Sequence, residues 1–406
     1  MLDRLWSFLD KFNVITKFQY GFQKNKSTEK AIIDLCEYLY ENLNKKFYSI
    51  AVFIDFKKAF DTIDHEILLK KLEAYGVRGL AHKWFKDYLG KRTHAVKFKN
   101  ILSCPKTLNV GLPQGSLISP VLFLLFINDL PNLSPAITPL LFADDTTLCF
   151  SGPSLPNLNI SVNQNLEIFH SWSIANRLTL NVIKTNYMLF TNRPINVNMS
   201  VRLGQSILEC KESVKFLGVH IDHKLNFKDH IKYICNRVSK STGILYVMRN
   251  FAPLPVLKSI YYSLIYSHLS YCTTVWGGTY TTNLQPLRIK QKKAIRIINK
   301  KPYLSHTSPL FYSSEILKLD DIYKFKIGCY FIKNELLYDY NRLHSYPTRY
   351  RNLLLPNFQR LTASQRSITY VGPSLWNSLP RNIQDSNSFS SFKRNVKKFL
   401  IDQYEH

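Results

Sequence analysis

The chain has 406 residues, of which 45% are hydrophobic and 14% aromatic, and this composition excludes wholesale disorder. Its length predicts two or three domains. Lysine and arginine outnumber the acidic residues by 54 to 28, so the net charge of +26 favours a polyanionic partner, either nucleic acid or an anionic membrane surface.

The sequence pattern argues against a membrane span and against a disulfide framework. The longest apolar run, residues 120–127, is far shorter than the ~18–20 residues that a span needs. The first residues lack the basic and apolar regions of a signal peptide. The 7 cysteines are scattered and form no CxxC pair, so we expect a reducing intracellular compartment.

The first hundred residues alternate between helical and extended patterns. The predicted elements are a helix at 28–41, a strand at 49–55, helices at about 61–76 and 80–89, and a half-exposed strand at 95–98. Thr28 is the predicted N-cap of the first helix. Asp61 and Asp64 have capping-box-like spacing before the second, and Asp55 ends the continuous apolar run of the strand.

The next part of the chain adds strands around a buried helix. The predicted elements are a loop at 111–116, a buried helix at 121–127, two strands within 139–150, a helix near 162–172, a strand-turn-strand at 177–190 and a hairpin at 214–221. Ser119 is the predicted N-cap of the buried helix, with Pro120 at its first position. After residue 226 the pattern is mainly helical, ending with a helix at about 390–403, so a boundary is expected near 222–230.

Aspartates at strand ends are the main chemical feature. Asp55 ends one predicted strand, and Asp144 and Asp145 occupy the turn between two others. Each one alone is more commonly a cap, but neighbouring strands would bring all three carboxylates together, where they repel one another. A divalent cation relieves that repulsion, and Mg²⁺ is suited to a few carboxylates completed by phosphate oxygens.

Six blocks of sequence resemble, in order, the jockey-like reverse transcriptases of non-LTR retrotransposons. They lie at residues 19–28, 51–65, 111–130, 141–146, 178–185 and 216–222. The resemblance implies an α+β right-hand polymerase. Its implied parts are partial fingers at 1–50, an antiparallel-sheet palm with the primer grip at 51–222, a helical thumb at 223–301 and an α-rich C-terminal extension at 302–406.

The same resemblance implies an RNA-directed DNA polymerase. A primer 3′-OH would attack the α-phosphate of a dNTP, assisted by two Mg²⁺ ions, for which Mn²⁺ is an alternative. The implied partners are an RNA template, a DNA primer or target DNA, and dNTPs, without a membrane. The expected location is the nucleus or a cytoplasmic ribonucleoprotein, and the oligomeric state is left open.

The resemblance also implies roles for particular residues. Catalysis falls to Asp55, Asp144, Asp145 and Lys184, and the same three aspartates would hold the metal ions. Substrate-binding positions are Phe56 through its carbonyl, Phe60 as a steric gate against a ribose 2′-OH, Gln114 and Gly115. The implied nucleic-acid contacts are Gln19, Gly21, Phe22, Lys24, Lys26, Phe216, Leu217, Gly218, Lys290, Lys292, Lys293 and Arg296.

Structural alternatives stand beside several of these roles. Phe60 could be a core residue, Gln114 an ordinary turn residue, and Lys184 and the other lysines a solvated surface. We interpret five further residues that match the family as caps and scaffold: Asp61, Asp64, His65, Asn128 and Asp129.

Departures from the family pattern leave a second hypothesis. Two parts of the family pattern have no counterpart before Gln19: the first fingers block, which carries a triphosphate-binding arginine, and the endonuclease. No Cys/His knuckle follows the polymerase blocks. Gln23 stands where an arginine is usual. We therefore expect a chain truncated at its N-terminus, with a catalytically inactive nucleic-acid-binding remnant as the alternative. A Mg²⁺ nuclease would explain the aspartates but not the ordered blocks.

Overall fold

The computed structural model describes residues 1–90, 92–194, 199–334, 353–356 and 358–405. The chain divides into two units by internal packing, the first comprising Met1–Ala31 with Lys46–Glu212 and the second comprising Ile32–Lys45 with Ser213–His406. The first mixes helices with strands and the second is mainly helical, so the α+β prediction is confirmed. Within the described ranges, no helix has both the length and the apolar character needed to cross a bilayer.

The first unit is built from a central sheet, short exposed strands and helices. Its helices are α1 (Leu2–Lys11), the first turn of α2 (Thr28–Asn44), α3 (His65–Ala74), α4 (Gly79–Leu89), α5 (Ser119–Phe126) and α6 (Leu155–Ala175). Its strands are β1 (Tyr48–Ile54), β2 (Thr93–His94), β3 (Lys97–Phe98), β4 (Ile101–Leu102), β5 (Lys106–Thr107), β6 (Thr138–Phe142), β7 (Asp145–Gly152), β8 (Asn186–Phe190), β9 (Arg202–Leu203), β10 (Ser206–Ile207) and β11 (Glu209–Cys210).

Five strands form the central sheet in the order β11-β8-β1-β7-β6. All neighbours are antiparallel except β11 and β8, which run parallel. Strand β1 is central and buried along nearly its whole length, which explains why its sequence is a continuous apolar run rather than an alternating one. Helix α5 is apolar all round for the same reason, since seven of its eight residues are buried in the core of this unit.

Three local predictions need correction. Ser27 rather than Thr28 caps α2, since the Lys30 N–H donates to Ser27 Oγ at 3.1 Å. Ser119 is already helical, and its hydroxyl donates to the Pro113 carbonyl at 2.7 Å. Residues 177–181 form one bridge, between Leu180 and Phe56, instead of a full strand.

The exposed segment after α4 also differs from its prediction. The sequence predicts one half-exposed strand at 95–98, whereas the structure has two-residue strands before and after residues 95–96, β2 and β3, both exposed. Each pairs with an equally short strand, β2 with β5 and β3 with β4. Alternation alone does not bury a face when no layer packs against it.

Asp64 confirms the predicted cap of α3. Its carboxylate accepts the backbone N–H groups of Glu66 and Ile67, both at 3.0 Å, and Arg177 Nη1 lies 2.6 Å from its second oxygen. Burial raises the pKa of Asp64, but the Ile67 and Glu66 hydrogen bonds and Arg177 outweigh it and hold the pKa below its usual value. His65, Asn128 and Asp129 also make internal contacts: their partners are the Gly111 carbonyl, the backbone of Val14 and Thr16, and Lys71.

Replacing Asp64 by alanine is expected to lower the free energy of unfolding by about 1 kcal/mol at neutral pH, because two backbone donors lose their acceptor. Because the folded-state pKa is depressed, this stabilisation is present above about pH 4 and is lost as the pH falls through the folded-state value. Urea midpoints at several pH values measure it. Glu66→Ala removes the same charge without the cap, and equal midpoints for the two variants would contradict the assignment.

The second unit consists of a hairpin followed by helices, and it also contains the rest of α2. The hairpin strands are β12 (Ser213–Phe216) and β13 (Val219–Asp222), as the sequence predicts. The helices are α7 (Lys228–Met248), α8 (Leu254–Tyr261), α9 (Ser267–Ser270), α10 (Thr273–Trp276), α11 (Thr281–Ile298), α12 (Ser308–Ser314), α13 (Leu319–Lys333), α14 (Ile368–Ser378), α15 (Arg381–Gln384) and α16 (Phe389–Asp402). The predicted final helix is confirmed by α16.

Candidate active site

The register of the central sheet brings the three predicted aspartates to one edge. Ile54, the last residue of β1, pairs with Thr146 of β7. Asp55 is the residue after Ile54 and Asp145 is the residue before Thr146, so the two aspartates lie at the same end of the paired strands. Phe142 pairs with Asp145 across the β6–β7 turn, which leaves Ala143 and Asp144 as the two turn residues. The carboxylates therefore meet because two antiparallel neighbours end at the same place, as the strand-end pattern indicates.

The electrostatics of this edge are those of like charges held together. Although Asp145 is an exposed residue, the protein atoms around its carboxylate partly desolvate it and raise its pKa, and the charges of Asp144 and Asp55 raise the pKa further. Asp55 is half-buried at the end of its strand, whereas Asp144 and Asp145 are exposed. An exposed pair beside a fixed carboxylate can accept a cation from solvent, and the cation would remove the mutual repulsion.

A polar turn within the 178–185 block holds Asp55 through two residues, Asn181 and Thr185, to which the resemblance assigns no role. Asn181 Nδ2 donates to Asp55 Oδ2 at 2.8 Å, and the Asn181 N–H donates to the Asp55 carbonyl at 2.7 Å. The Asp55 N–H donates to Thr185 Oγ1 at 3.2 Å. Asn181 and Thr185 thus fix both the backbone and one carboxylate oxygen of Asp55. Their sequence signals are membership of the 178–185 block and a polar turn between two short apolar stretches.

The turn that carries Asp144 is braced by the segment around Gln19. Gln19 is 1% exposed, and its Oε1 accepts the Ala143 N–H at 3.0 Å and the Gly21 N–H at 2.8 Å. Ala143 has a φ of 53°, a left-handed conformation that costs about 1 kcal/mol or more without such support. The predicted nucleic-acid contact by the Gln19 side chain is therefore corrected, since that side chain is buried against the turn.

Gly21 also belongs to this brace. A Cβ on Gly21 would lie 2.5 Å from the Ala143 nitrogen and 3.1 Å from the Phe142 carbonyl carbon. The glycine is required by the close approach of two backbones, and it is buried, so its predicted contact with nucleic acid is corrected in the same way. Its neighbour Phe22 is 54% exposed, and Lys24 is exposed. Lys26 donates to the Lys17 carbonyl at 2.7 Å and lies over the Tyr20 ring.

The predicted substrate-binding residues lie on the elements that follow β1 and precede α5. Phe60 is half-buried, with one face stacked on Phe123 at a centroid distance of 4.4 Å. Phe56 is buried in its bridge with Leu180. Gln114 is exposed, and its Nε2 donates to Asp61 Oδ1 at 3.0 Å. Gly115 has a φ of 80° with open space around its α-carbon, so the loop backbone is accessible here.

Lys184 lies in the turn that holds Asp55. It is exposed, and its N–H donates to the Asn181 carbonyl at 3.1 Å. The turn thus ties the lysine backbone to the residue that orients Asp55, while the long side chain keeps its rotational freedom.

The remaining predicted contacts lie in the second unit. In the β12–β13 hairpin, Phe216 is buried, Leu217 and Gly218 form the turn, and the Leu217 carbonyl accepts the Tyr271 hydroxyl at 2.7 Å. Four basic residues lie along α11: Lys290, Lys292, Lys293 and Arg296. Lys292 and Lys293 are exposed, whereas Arg296 donates to the Ser305 carbonyl at 2.8 Å.

The donor set of the aspartate edge fits Mg²⁺. Across the described residues, no three His, Cys, Asp or Glu side chains are placed to hold a metal ion by themselves. A Mg²⁺ ion in a phosphoryl-transfer site does not require such a cage, because one or two carboxylates are completed by water and substrate phosphates. The three aspartates supply hard carboxylate oxygens of this kind. Their charges repel one another, as the raised pKa of Asp145 indicates, so a divalent cation would stabilise them.

Comparison with known proteins places this fold among the nucleic-acid polymerases. Residues 1–221 match the family model described as reverse transcriptase (RNA-dependent DNA polymerase), which is more than half of the chain. The chain therefore belongs to the reverse transcriptase family, as its ordered sequence blocks indicate.

The curated proteins that are similar to this chain include polymerases from mobile elements. The chain is 27% identical over 332 residues to the RNA-directed DNA polymerase from mobile element jockey of Drosophila melanogaster, covering 79% of this chain and 36% of the relative. It is 26% identical over 318 residues to a probable RNA-directed DNA polymerase from transposon BS of the same species, covering 74% and 34%. The chain thus spans about a third of the length of these relatives.

Among solved structures, the apo telomerase from Candida tropicalis is similar at 12% identity. That match covers 82% of this chain and 58% of the other, with a TM-score of 0.42.

Proposed function

We propose that this chain is an RNA-directed DNA polymerase of a non-LTR retrotransposon, which extends a primer 3′-OH with dNTPs. The observation that carries the proposal is the convergence of Asp55, Asp144 and Asp145 at one edge of the sheet, fixed by strand register. Family membership and the jockey and BS relatives support the reaction type.

Within this proposal, Asp55 and Asp144 would hold two Mg²⁺ ions, with Asp145 beside them and the Phe56 carbonyl as a candidate further oxygen ligand. When bound, the ions lower the barrier by stabilising charge on the attacking and leaving oxygens. Asn181 keeps one Asp55 oxygen in a fixed direction through its 2.8 Å hydrogen bond, and Gln19 holds the turn that presents Asp144. Alignment of the substrates accounts for the rest of the rate, because the mechanism uses no covalent intermediate.

The loop and turn around this edge would bind the nucleotide. Gln114 offers an amide that can hydrogen-bond sugar or phosphate without adding charge, and the open backbone at Gly115 allows close approach. Lys184 would neutralise or protonate the leaving pyrophosphate, since its turn is tied to Asn181 beside Asp55.

The domain assignment remains part of the proposal: partial fingers at 1–50, a palm at 51–222, a thumb at 223–301 and an α-rich extension at 302–406. The β12–β13 hairpin would be the primer grip through Leu217 and Gly218. An RNA–DNA hybrid would be held through its backbone charge and shape. Those contacts would come from one exposed aromatic residue and five lysines: Phe22, Lys24, Lys26, Lys290, Lys292 and Lys293. The protein would be located in the nucleus or in a cytoplasmic ribonucleoprotein.

Replacing Phe60 by alanine is expected to raise ribonucleotide incorporation relative to deoxynucleotides by about tenfold or more. The ring is held on one face by Phe123, so the part that is not packed can act as a wall under the sugar. Primer extension with dTTP and UTP in competition measures the ratio. Phe98→Ala, at an exposed phenylalanine in β3, is the matched control, and an unchanged ratio in Phe60→Ala would refute the gate.

Primer extension on poly(rA)·oligo(dT) with Mg²⁺ tests the proposal. The full chain is expected to incorporate dTTP, and omission of Mg²⁺ is expected to stop incorporation. A well-folded chain that binds the hybrid but incorporates no dTTP would instead be an inactive nucleic-acid-binding remnant.

A further inference from the structure

The second unit contains a basic cavity whose lining includes Lys292 and Arg296, both implied as nucleic-acid contacts, together with residues that the proposed polymerase reaction leaves without a role. It has a volume of about 350 Å³, at the small end of the range for ligand sites, and it lies between α11, residues 304–308 and the start of α13. Its charged lining residues are Arg288, Lys292, Arg296, Lys318 and Asp320, and His306 also lines it. It lies outside residues 1–221, which match the family model.

The charge of this cavity is unbalanced. Asp320 is the one acidic residue among the described residues that line it, and Arg288 already neutralises it through two bonds, Nη2–Oδ1 at 2.7 Å and Nε–Oδ2 at 2.9 Å. Lys292, Arg296 and Lys318 therefore contribute three positive charges without a lining carboxylate to match them. Such a concentration of positive charge around a small cavity attracts a phosphate group.

Hydrogen bonds to neighbouring residues fix the positions of the positive groups. Arg296 donates to the Ser305 carbonyl with one of the five N–H donors of its guanidinium group, and Lys318 donates to Ser308 Oγ at 3.0 Å. Buried Gln291 accepts the Leu319 N–H at 2.9 Å and donates to the Leu317 carbonyl, which fixes the floor. Burial lowers the pKa of Lys318, and the charge of Lys292 lowers it further against the opposing effect of Asp321. The two lysines thus repel each other, and an anion between them would relieve that repulsion.

An aromatic residue stands at the rim of the cavity. Tyr303 is 70% exposed, and the Arg296 guanidinium lies 5.7 Å from its ring centroid. The adjacent Leu304, which lines the cavity, is 89% exposed. An exposed tyrosine beside a basic cavity of this volume is suited to one nucleotide, with the base stacked on the ring and the phosphate inside the cavity.

We propose that this cavity binds single-stranded nucleic acid, with a backbone phosphate between Lys292, Arg296 and Lys318 and one base on Tyr303. The site contains none of the residues of the aspartate edge, so its test measures binding without dNTPs or Mg²⁺. Failure of this proposal would leave primer extension unaffected as a test of the polymerase.

Fluorescence anisotropy of the full chain with labelled eight-nucleotide RNA and DNA strands of the same sequence tests the proposal. Tyr303→Ala is expected to weaken binding about 5- to 100-fold, the range for one lost stacked base. Lys292→Gln and Lys318→Gln are each expected to flatten the plot of log affinity against log salt by about 0.7. Lys398→Gln, at an exposed lysine of α16 outside the cavity lining, is the charge-matched control. The strand whose affinity falls identifies the sugar that the site takes.

Photo-crosslinking identifies which part of the chain contacts the strand, so it distinguishes this cavity from the other basic surfaces. A strand containing 4-thiouridine is expected to crosslink to the peptide that includes Tyr303. Crosslinks confined to other peptides, with all three variants binding within twofold of the unaltered chain, would overturn the proposal. An acidic peptide of equal charge that binds as tightly as the strand, with no loss in Tyr303→Ala, would likewise overturn it.

Discussion

Replacing Asp144 by alanine is expected to lower primer extension by about 10³-fold or more while binding of the RNA–DNA hybrid stays nearly unchanged. The carboxylate lies on the two-residue turn beside Asp55 and Asp145, where it would hold a metal ion worth several kcal/mol of charge stabilisation, and each 1.36 kcal/mol is tenfold in rate. Under the proposed function the basic surfaces of the chain would bind the hybrid, so losing one acidic side chain is not expected to weaken hybrid binding. Single-turnover extension and hybrid anisotropy measure the two effects separately.

Asp10→Ala is the matched control for this variant. Asp10 is an exposed residue of α1, so the substitution makes the same chemical change outside the site. We expect extension by Asp10→Ala to stay within twofold of the unaltered chain. Extension by Asp144→Ala at more than about a tenth of the unaltered rate would refute the metal assignment.

Replacing Gly21 by alanine is expected to lower extension by about 10²-fold, although Gly21 carries no reactive group. The added Cβ would lie 2.5 Å from the Ala143 nitrogen, so the backbone that presents Asp144 must move. A displacement of about 1 Å in a catalytic group costs on the order of 10²-fold in rate. Because the turn moves and the binding surfaces do not, the effect is expected in kcat rather than in hybrid affinity.

Gly152→Ala tests whether the Gly21 effect is specific. Strand β7 begins at Asp145, beside the Asp144 turn, and ends at Gly152, far from that turn. A Cβ on Gly152 would make only an ordinary contact with Leu158 at 3.9 Å. This variant is expected to retain near-normal kcat. Equal losses in the two variants would mean that the glycines act through general stability and not through the position of the turn.

The place of each aspartate at a strand end or turn could be predicted because strands and tight turns have local sequence patterns, whereas their convergence depended on β1 and β7 being neighbours, a pairing between residues about 90 positions apart. A continuous apolar run ending at Asp55 and two short strands around Asp144 and Asp145 define the elements and the ends at which the aspartates lie. Helix α3 was predictable for a similar reason, since its cap Asp64 lies within three residues of the donors that it satisfies.

The brace around the site could not be predicted from one sequence. Gln19 reaches Ala143 across 124 positions, and Asn181 reaches Asp55 across 126, so neither contact has a local signature. Gln19 therefore reads as a surface residue of a polar segment, although the fold buries its side chain and uses the amide oxygen to hold a strained turn. Contacts of this kind depend on the tertiary fold and not on spacing.

The central claim is that the aspartate edge copies RNA into DNA, and sequencing the product made on a defined RNA template tests it most directly. The full chain is given a labelled DNA primer, a mixed-sequence RNA template, four dNTPs and Mg²⁺. We expect DNA that reaches the template end and is complementary to it, and none from Asp144→Ala prepared in parallel. An unextended primer from well-folded chain, or added nucleotides unrelated to the template, would contradict the claim.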